Sequence, residues 1–121
     1  MNYLFVSLGA ALGGVVRYWF GDFVHKLLPS FFPFGTLFIN IIGSFLVGVF
    51  IFYFDERELL SQPVKLFLTI GFCGGFTTFS TFSFETIKLL LDSEFILASV
   101  YIIASVFLSI LGVYLAYILS R

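Results

Sequence analysis

Residues Gly71 to Thr86 read GFCGGFTTFSTFSFET, and this stretch decides how the chain is read. A Gly-Gly pair is followed by phenylalanines alternating with hydroxyl residues, inside a segment too apolar to lie anywhere but in lipid. Glycine costs about 1 kcal/mol against alanine in a helix, and Ser and Thr compete for the helical backbone's hydrogen bonds. The run is therefore expected to interrupt a membrane helix near its centre. An interruption at bilayer depth survives only where protein or a water-filled path satisfies the freed backbone groups. Such interruptions are where channels and transporters keep ion sites.

The rest of the composition agrees. Of 121 residues, 60% are hydrophobic and only 11% charged, with a mean hydropathy of +1.12. A soluble domain carries about 25% charged residues, so this chain could not coat a globule with polar surface. A bilayer span needs about 20 mostly apolar residues. Four segments qualify, at about 3–28, 34–54, 64–91 and 95–119. Short polar connections make sequential spans antiparallel and leave no room for a soluble domain. The expected fold is an all-α membrane protein with four transmembrane helices per chain. A formal net charge of -1 argues against nucleic acid as a partner. Cys73 is the only cysteine, so no intrachain disulfide forms. Met1 leads straight into an apolar run without a basic segment, so the first span is expected to stay uncleaved.

Loop charges bear on orientation. One side of the membrane receives Arg57, Lys65 and Arg121, and the other receives Lys26 and Lys88. Orientation needs a clear Lys/Arg excess on one side, and three against two is not one. The expectation is dual topology, with oppositely oriented copies able to pair about an axis in the membrane plane.

Each span carries a polar or small-residue stripe. The first has Gly9, Gly13, Arg17 and Gly21 at intervals of four, a spacing that lets another backbone approach closely. An arginine in a span must face a cavity, a carbonyl or an anion, or else reach the interface. The second has Thr36, Asn40, Ser44 and Gly48 on one face. Asn40 offers two donors and an acceptor, and no carboxylate shares its face. The third has Phe76, Phe79 and Phe82 at intervals of three, with hydroxyls between them. Ring edges are electropositive and can face an anion without a full charge that would trap it. Glu85 either pairs with Lys88 or closes a hydroxyl track from Ser80 or Thr81. The fourth has Tyr101, Ser105, Ser109 and Gly112 in one line. Each stripe alone is compatible with helix packing; together they make a polar seam of donors without a central acid.

At this point three motifs converge on one family. Gly9-Ala10-Ala11-Leu12-Gly13-Gly14-Val15-Val16-Arg17-Tyr18, a G-x-x-x-GG-x-x-R-Y run, resembles the first-span element of the small fluoride channels, the Fluc or CrcB-type proteins. Phe34-Gly35-Thr36-Leu37-Phe38-Ile39-Asn40 with Gly43-Ser44-Phe45 resembles their second element, and Gly71 to Glu85 their third. The resemblance covers essentially the whole chain. It implies a fluoride-selective channel that passively exports fluoride across the plasma membrane (the prokaryotic inner membrane). It also implies an antiparallel, dual-topology homodimer with two pores. By the same resemblance, Asn40, Phe79 and Phe82 would contact fluoride, with Ser80, Thr81, Tyr101, Ser105, Ser109 and Glu85 in an adjoining polar track. Arg17 would sit in an aqueous vestibule. Backbone carbonyls of Gly74 and Thr77 from both copies would hold a structural sodium ion (Na+) at the dimer centre, beside a helix break after Gly74.

Other classes fit less well. A small multidrug-type cation exporter would also have four spans and balanced loop charge, but it needs an embedded carboxylate, and the first span has only Asp22 near its end. A non-transporting helical scaffold leaves the interrupted third span unexplained. An enzyme is not expected, because His25 is the sole histidine, sits at a span's end and joins no catalytic constellation.

Overall fold

A computed structural model describes residues 1–121. The architecture is all-helical: α1 (Asn2–Leu27), α2 (Phe34–Gly48), α3 (Gln62–Leu66), α4 (Gly74–Phe76), α5 (Phe79–Leu91) and α6 (Phe95–Leu119). π-helical stretches Val49–Asp55 and Phe67–Cys73 extend α2 and join α3 to α4. Four helical runs are long and apolar enough to cross a membrane: Asn2–Leu27, Phe34–Asp55, Gln62–Leu91 and Phe95–Leu119.

Local chemistry sets the ends of these runs. Leu28 is extended (φ -119, ψ 151) because it precedes Pro29. Pro63 occupies the first turn of α3, where its missing N–H removes nothing from the helix. After α5, Ser93 takes φ 60, and the Ser93 and Glu94 amides return to the Leu90 and Leu89 carbonyls at 3.1 and 2.8 Å. This is a Schellman closure. Glu58 (φ 58) closes the second span the same way, through Glu58 to Asp55 and Leu59 to Phe54.

Only 21 of 121 residues are buried, and large apolar side chains such as Leu8, Val15, Trp19, Ile103 and Phe107 point outward. That is the surface a bilayer solvates. The charged pairs Asp22–Lys26 (3.3 Å) and Asp55–Lys65 (3.0 Å) lie at helix ends.

The tightest packing is not between sequential spans. α1 lies on the first half of the third span, and α2 lies on α6, each pair running parallel. A Cβ on Gly13 would collide with the Phe72 carbonyl oxygen and lie 2.9 Å from the Phe76 amide nitrogen. From the other side, a Cβ on Gly75 would lie 2.6 Å from the Ala10 carbonyl oxygen. The two backbones touch directly, which only glycine allows. The small-residue stripe of the first span thus serves contact within the chain.

Candidate functional site

The third span leaves helical geometry at two residues. Thr77 (φ -79, ψ 157) and Thr78 (φ -151, ψ 117) are extended between α4 and α5. The helix does not stop at Gly74, which is itself helical (φ -63, ψ -39). It stops three residues later, where consecutive β-branched threonines replace the glycines.

Every backbone group released there must find another partner. The Thr78 N–H, which would close on the Gly74 carbonyl in a continuous helix, donates instead to Asn40 Oδ1 at 2.9 Å. Asn40 Nδ2 donates back to the Thr78 carbonyl at 3.1 Å. The amide of Asn40 thus mimics a strand neighbour for Thr78. The Thr81 N–H donates to Thr78 Oγ1 at 3.2 Å, which caps α5. Arg17 Nε donates to the Gly75 carbonyl at 3.2 Å, so the intramembrane arginine answers a freed carbonyl. The carbonyls of Gly74 and Thr77 lose their i+4 donors to Asn40 and to Thr78 Oγ1. Both are hard oxygen donors of the kind a cation such as sodium takes.

Around this junction lies a central cavity of about 460 Å³. Asn40, Ser44, Thr69, Gly74, Thr77, Thr78, Phe79, Phe82, Ser105 and Ser109 are among its lining residues, and no charged side chain is. Ser105 is buried, and its hydroxyl has no hydrogen-bond partner within the protein. A buried hydroxyl left without a partner costs about 1–3 kcal/mol, so this one is suited to a guest. Asn40 retains a second amide N–H beyond its bond to Thr78.

The two phenylalanines sit differently. Phe82 is buried against Tyr101, ring centroids 5.0 Å apart. Phe79 is 76% exposed on the open side of the bundle. Their rings are 5.5 Å apart and tilted by 48°. Phe79→Ile is expected to leave folding and melting of the single chain near native, because the ring packs on so little, whereas Phe82→Ile is expected to lower thermal stability through the lost aromatic contacts. Melting of both variants, measured side by side, checks this; equal melting would contradict the difference in packing.

The remaining residues form a second group. Tyr101, fully buried, donates to Glu85 Oε1 at 2.8 Å. Glu85 does not pair with Lys88; Tyr101, reaching across from α6, takes the carboxylate instead. Thr81 Oγ1 accepts from Thr78 Oγ1 at 3.1 Å. Ser80 is exposed, with its hydroxyl 3.4 Å from that of Thr78, and does not reach the central cavity. Arg17, Asp22, His25, Thr36, Thr78, Thr81 and Glu85 line a side vestibule of about 310 Å³. Sequence reasoning left Thr78 out of the site, although it is the hub of the junction. The signal lay in its position three residues before Thr81, the spacing of an N-cap.

Four apolar spans, three of which line an uncharged cavity carrying amide and hydroxyl groups, define a small polytopic membrane protein suited to passing a polar solute or ion. Residues 4–117 match the family model described as CrcB-like protein, Camphor Resistance (CrcB). The chain is 46% identical over 118 residues to a fluoride-specific ion channel FluC of Geobacter sulfurreducens, covering 98% of this chain and 95% of that one. It is 41% identical over 122 residues to a FluC of Methylocella silvestris, covering 99% and 93%. It is 50% identical over 107 residues to a FluC 1 of Nitrobacter hamburgensis, covering 88% and 85%. The chain belongs to the CrcB-like family.

Proposed function

We propose that this protein is a fluoride-selective channel of the bacterial plasma membrane. The observation that carries this reading is the central cavity, whose otherwise apolar wall carries amide and hydroxyl groups and two phenylalanines but no charged side chain. Fluoride is small and strongly hydrated, so a pathway must return many hydrogen-bond donors as the ion sheds water. Neutral donors do this without the full positive charge that would hold the ion in place. Conduction requires sites that bind well enough to admit an ion and weakly enough to release it. The close relatives named as fluoride-specific channels supply the identity of the ion. A cation exporter is not favoured, because the cavity offers no carboxylate to exchange protons for substrate.

The working unit is read as an antiparallel, dual-topology homodimer with two pores. Polar groups facing lipid are costly, and the cavity, with Phe79 beside it, opens to the outside of the bundle. A second, inverted copy would cover that opening. Two such junctions brought together on a two-fold axis would present four carbonyls, from Gly74 and Thr77 of each copy, to one sodium ion. Sodium bound there would supply fixed positive charge between the copies.

Purified protein in liposomes is expected to release fluoride passively while retaining chloride, read with ion-selective electrodes. Equal efflux of the two anions, or retention of fluoride, overturns the function.

A further inference from the structure

We propose that His25 sets the charge of the ion's mouth at one end of the molecule, so that fluoride gains easier access when this histidine is protonated. The inference rests on the channel reading above and adds a residue to it.

Three spaces share lining residues from Thr78 into α5. Thr78 lines both the central cavity and the side vestibule. His25, Thr81 and Glu85 line both the side vestibule and an outer vestibule of about 660 Å³. His25 therefore borders both the side vestibule and the outer one. It is exposed, in the last turn of α1.

Charged groups line the two spaces that His25 borders. On its own helix are Arg17, Asp22 and Lys26, the last two paired with each other at 3.3 Å. The third span contributes Glu85, Lys88 and Asp92, and the connection into α6 contributes Glu94. Tyr18 lines the side vestibule, and Tyr101 is bound to Glu85. With the Asp22–Lys26 pair cancelled, Arg17 and Lys88 stand against Glu85, Asp92 and Glu94. The mouth of an anion pathway thus has one negative charge too many when His25 is neutral. Protonation of His25 cancels it. Histidine is the side chain suited to change charge between pH 5 and 8.

The test is fluoride efflux from liposomes at limiting fluoride, at pH 5.5 and 7.5, with protein-free vesicles subtracting HF that crosses lipid. Wild type is expected to conduct about threefold faster at pH 5.5, the weight of one unit charge roughly 7 Å from the ion in water. His25→Gln is expected to hold the lower rate at both pH values, and His25→Lys the higher rate at both. In about 1 M impermeant salt, where the screening length is about 3 Å, the differences should collapse. A wild-type rate equal at both pH values, or an equal pH ratio in His25→Gln, overturns the proposal and leaves the channel reading standing. Absence of fluoride efflux from every sample overturns both.

Discussion

Asn40→Asp is expected to abolish fluoride flux. The substitution keeps the oxygen that accepts from the Thr78 N–H at 2.9 Å. It replaces the donor to the Thr78 carbonyl, now at 3.1 Å, by a second oxygen. Two acceptors then face each other, and the central cavity, free of charged side chains in the native protein, acquires a negative one. Two like charges about 4 Å apart at an effective dielectric constant of 20 repel by about 4 kcal/mol, roughly a thousandfold in anion occupancy. Asn40→Ala does different damage. It leaves the Thr78 N–H and carbonyl both without partners, each at a cost of about 1–3 kcal/mol, and so should reduce folded yield as well as flux. Reconstituted efflux, normalised to correctly assembled protein, distinguishes the two. Near-native flux in Asn40→Asp would remove this amide from the pathway.

Gly13→Leu is expected to prevent folding altogether. The Phe72 carbonyl and the Phe76 amide of the third span occupy the space that even a Cβ on residue 13 needs. These are backbone atoms, so neither can rotate away. Overpacking a tight interior costs about 1–3 kcal/mol for ordinary side chains that can shift, and backbone against backbone lies beyond that range. The internal control is one residue along: a Cβ on Gly14 meets nothing within 4 Å. Gly14→Ala should be tolerated, and should even gain up to about 1 kcal/mol of helix propensity. Size-exclusion profiles in detergent provide the measurement. A monodisperse Gly13→Leu sample with native melting would refute the backbone contact.

The contrast between these neighbouring glycines also shows where sequence reading stops. Spacing by four put Gly9, Gly13 and Gly21 on one face and marked that face as a place of close approach. It could not name the partner. The pattern was as consistent with another chain as with the third span of the same chain, since both present small residues. Likewise, the alternation of Phe with Ser and Thr signalled an interruption, and the glycines drew it to Gly74. The extended residues are Thr77 and Thr78, because the partners able to satisfy a freed backbone, Asn40 and the Thr78 hydroxyl, are positioned there and not three residues earlier.

Glu85 gives the same lesson in side chains. One turn separates it from Lys88 along the helix, which favoured a local pair. Tyr101 lies 16 residues farther along the chain, yet its hydroxyl reaches the carboxylate at 2.8 Å. Nothing in the local sequence could weigh that competitor.

What the amino-acid sequence determined by itself was the solvent and the chemistry: four apolar runs of bilayer length, a scarcity of charge, and uncharged donors kept in register on successive helices. Those follow from hydropathy and from the helical repeat, both local properties of the chain. Tertiary structure alone decided that alternate spans pack in parallel, that Asn40 and Arg17 answer the groups released at Thr78 and Gly75, and that Asn40, Ser44, Ser105 and Ser109 meet at the central cavity while Thr36, Thr81 and Arg17 line a separate vestibule. Those outcomes depend on which backbones can touch and which orphaned hydrogen bonds remain within reach, and such competition is settled only between residues brought together from distant parts of the chain.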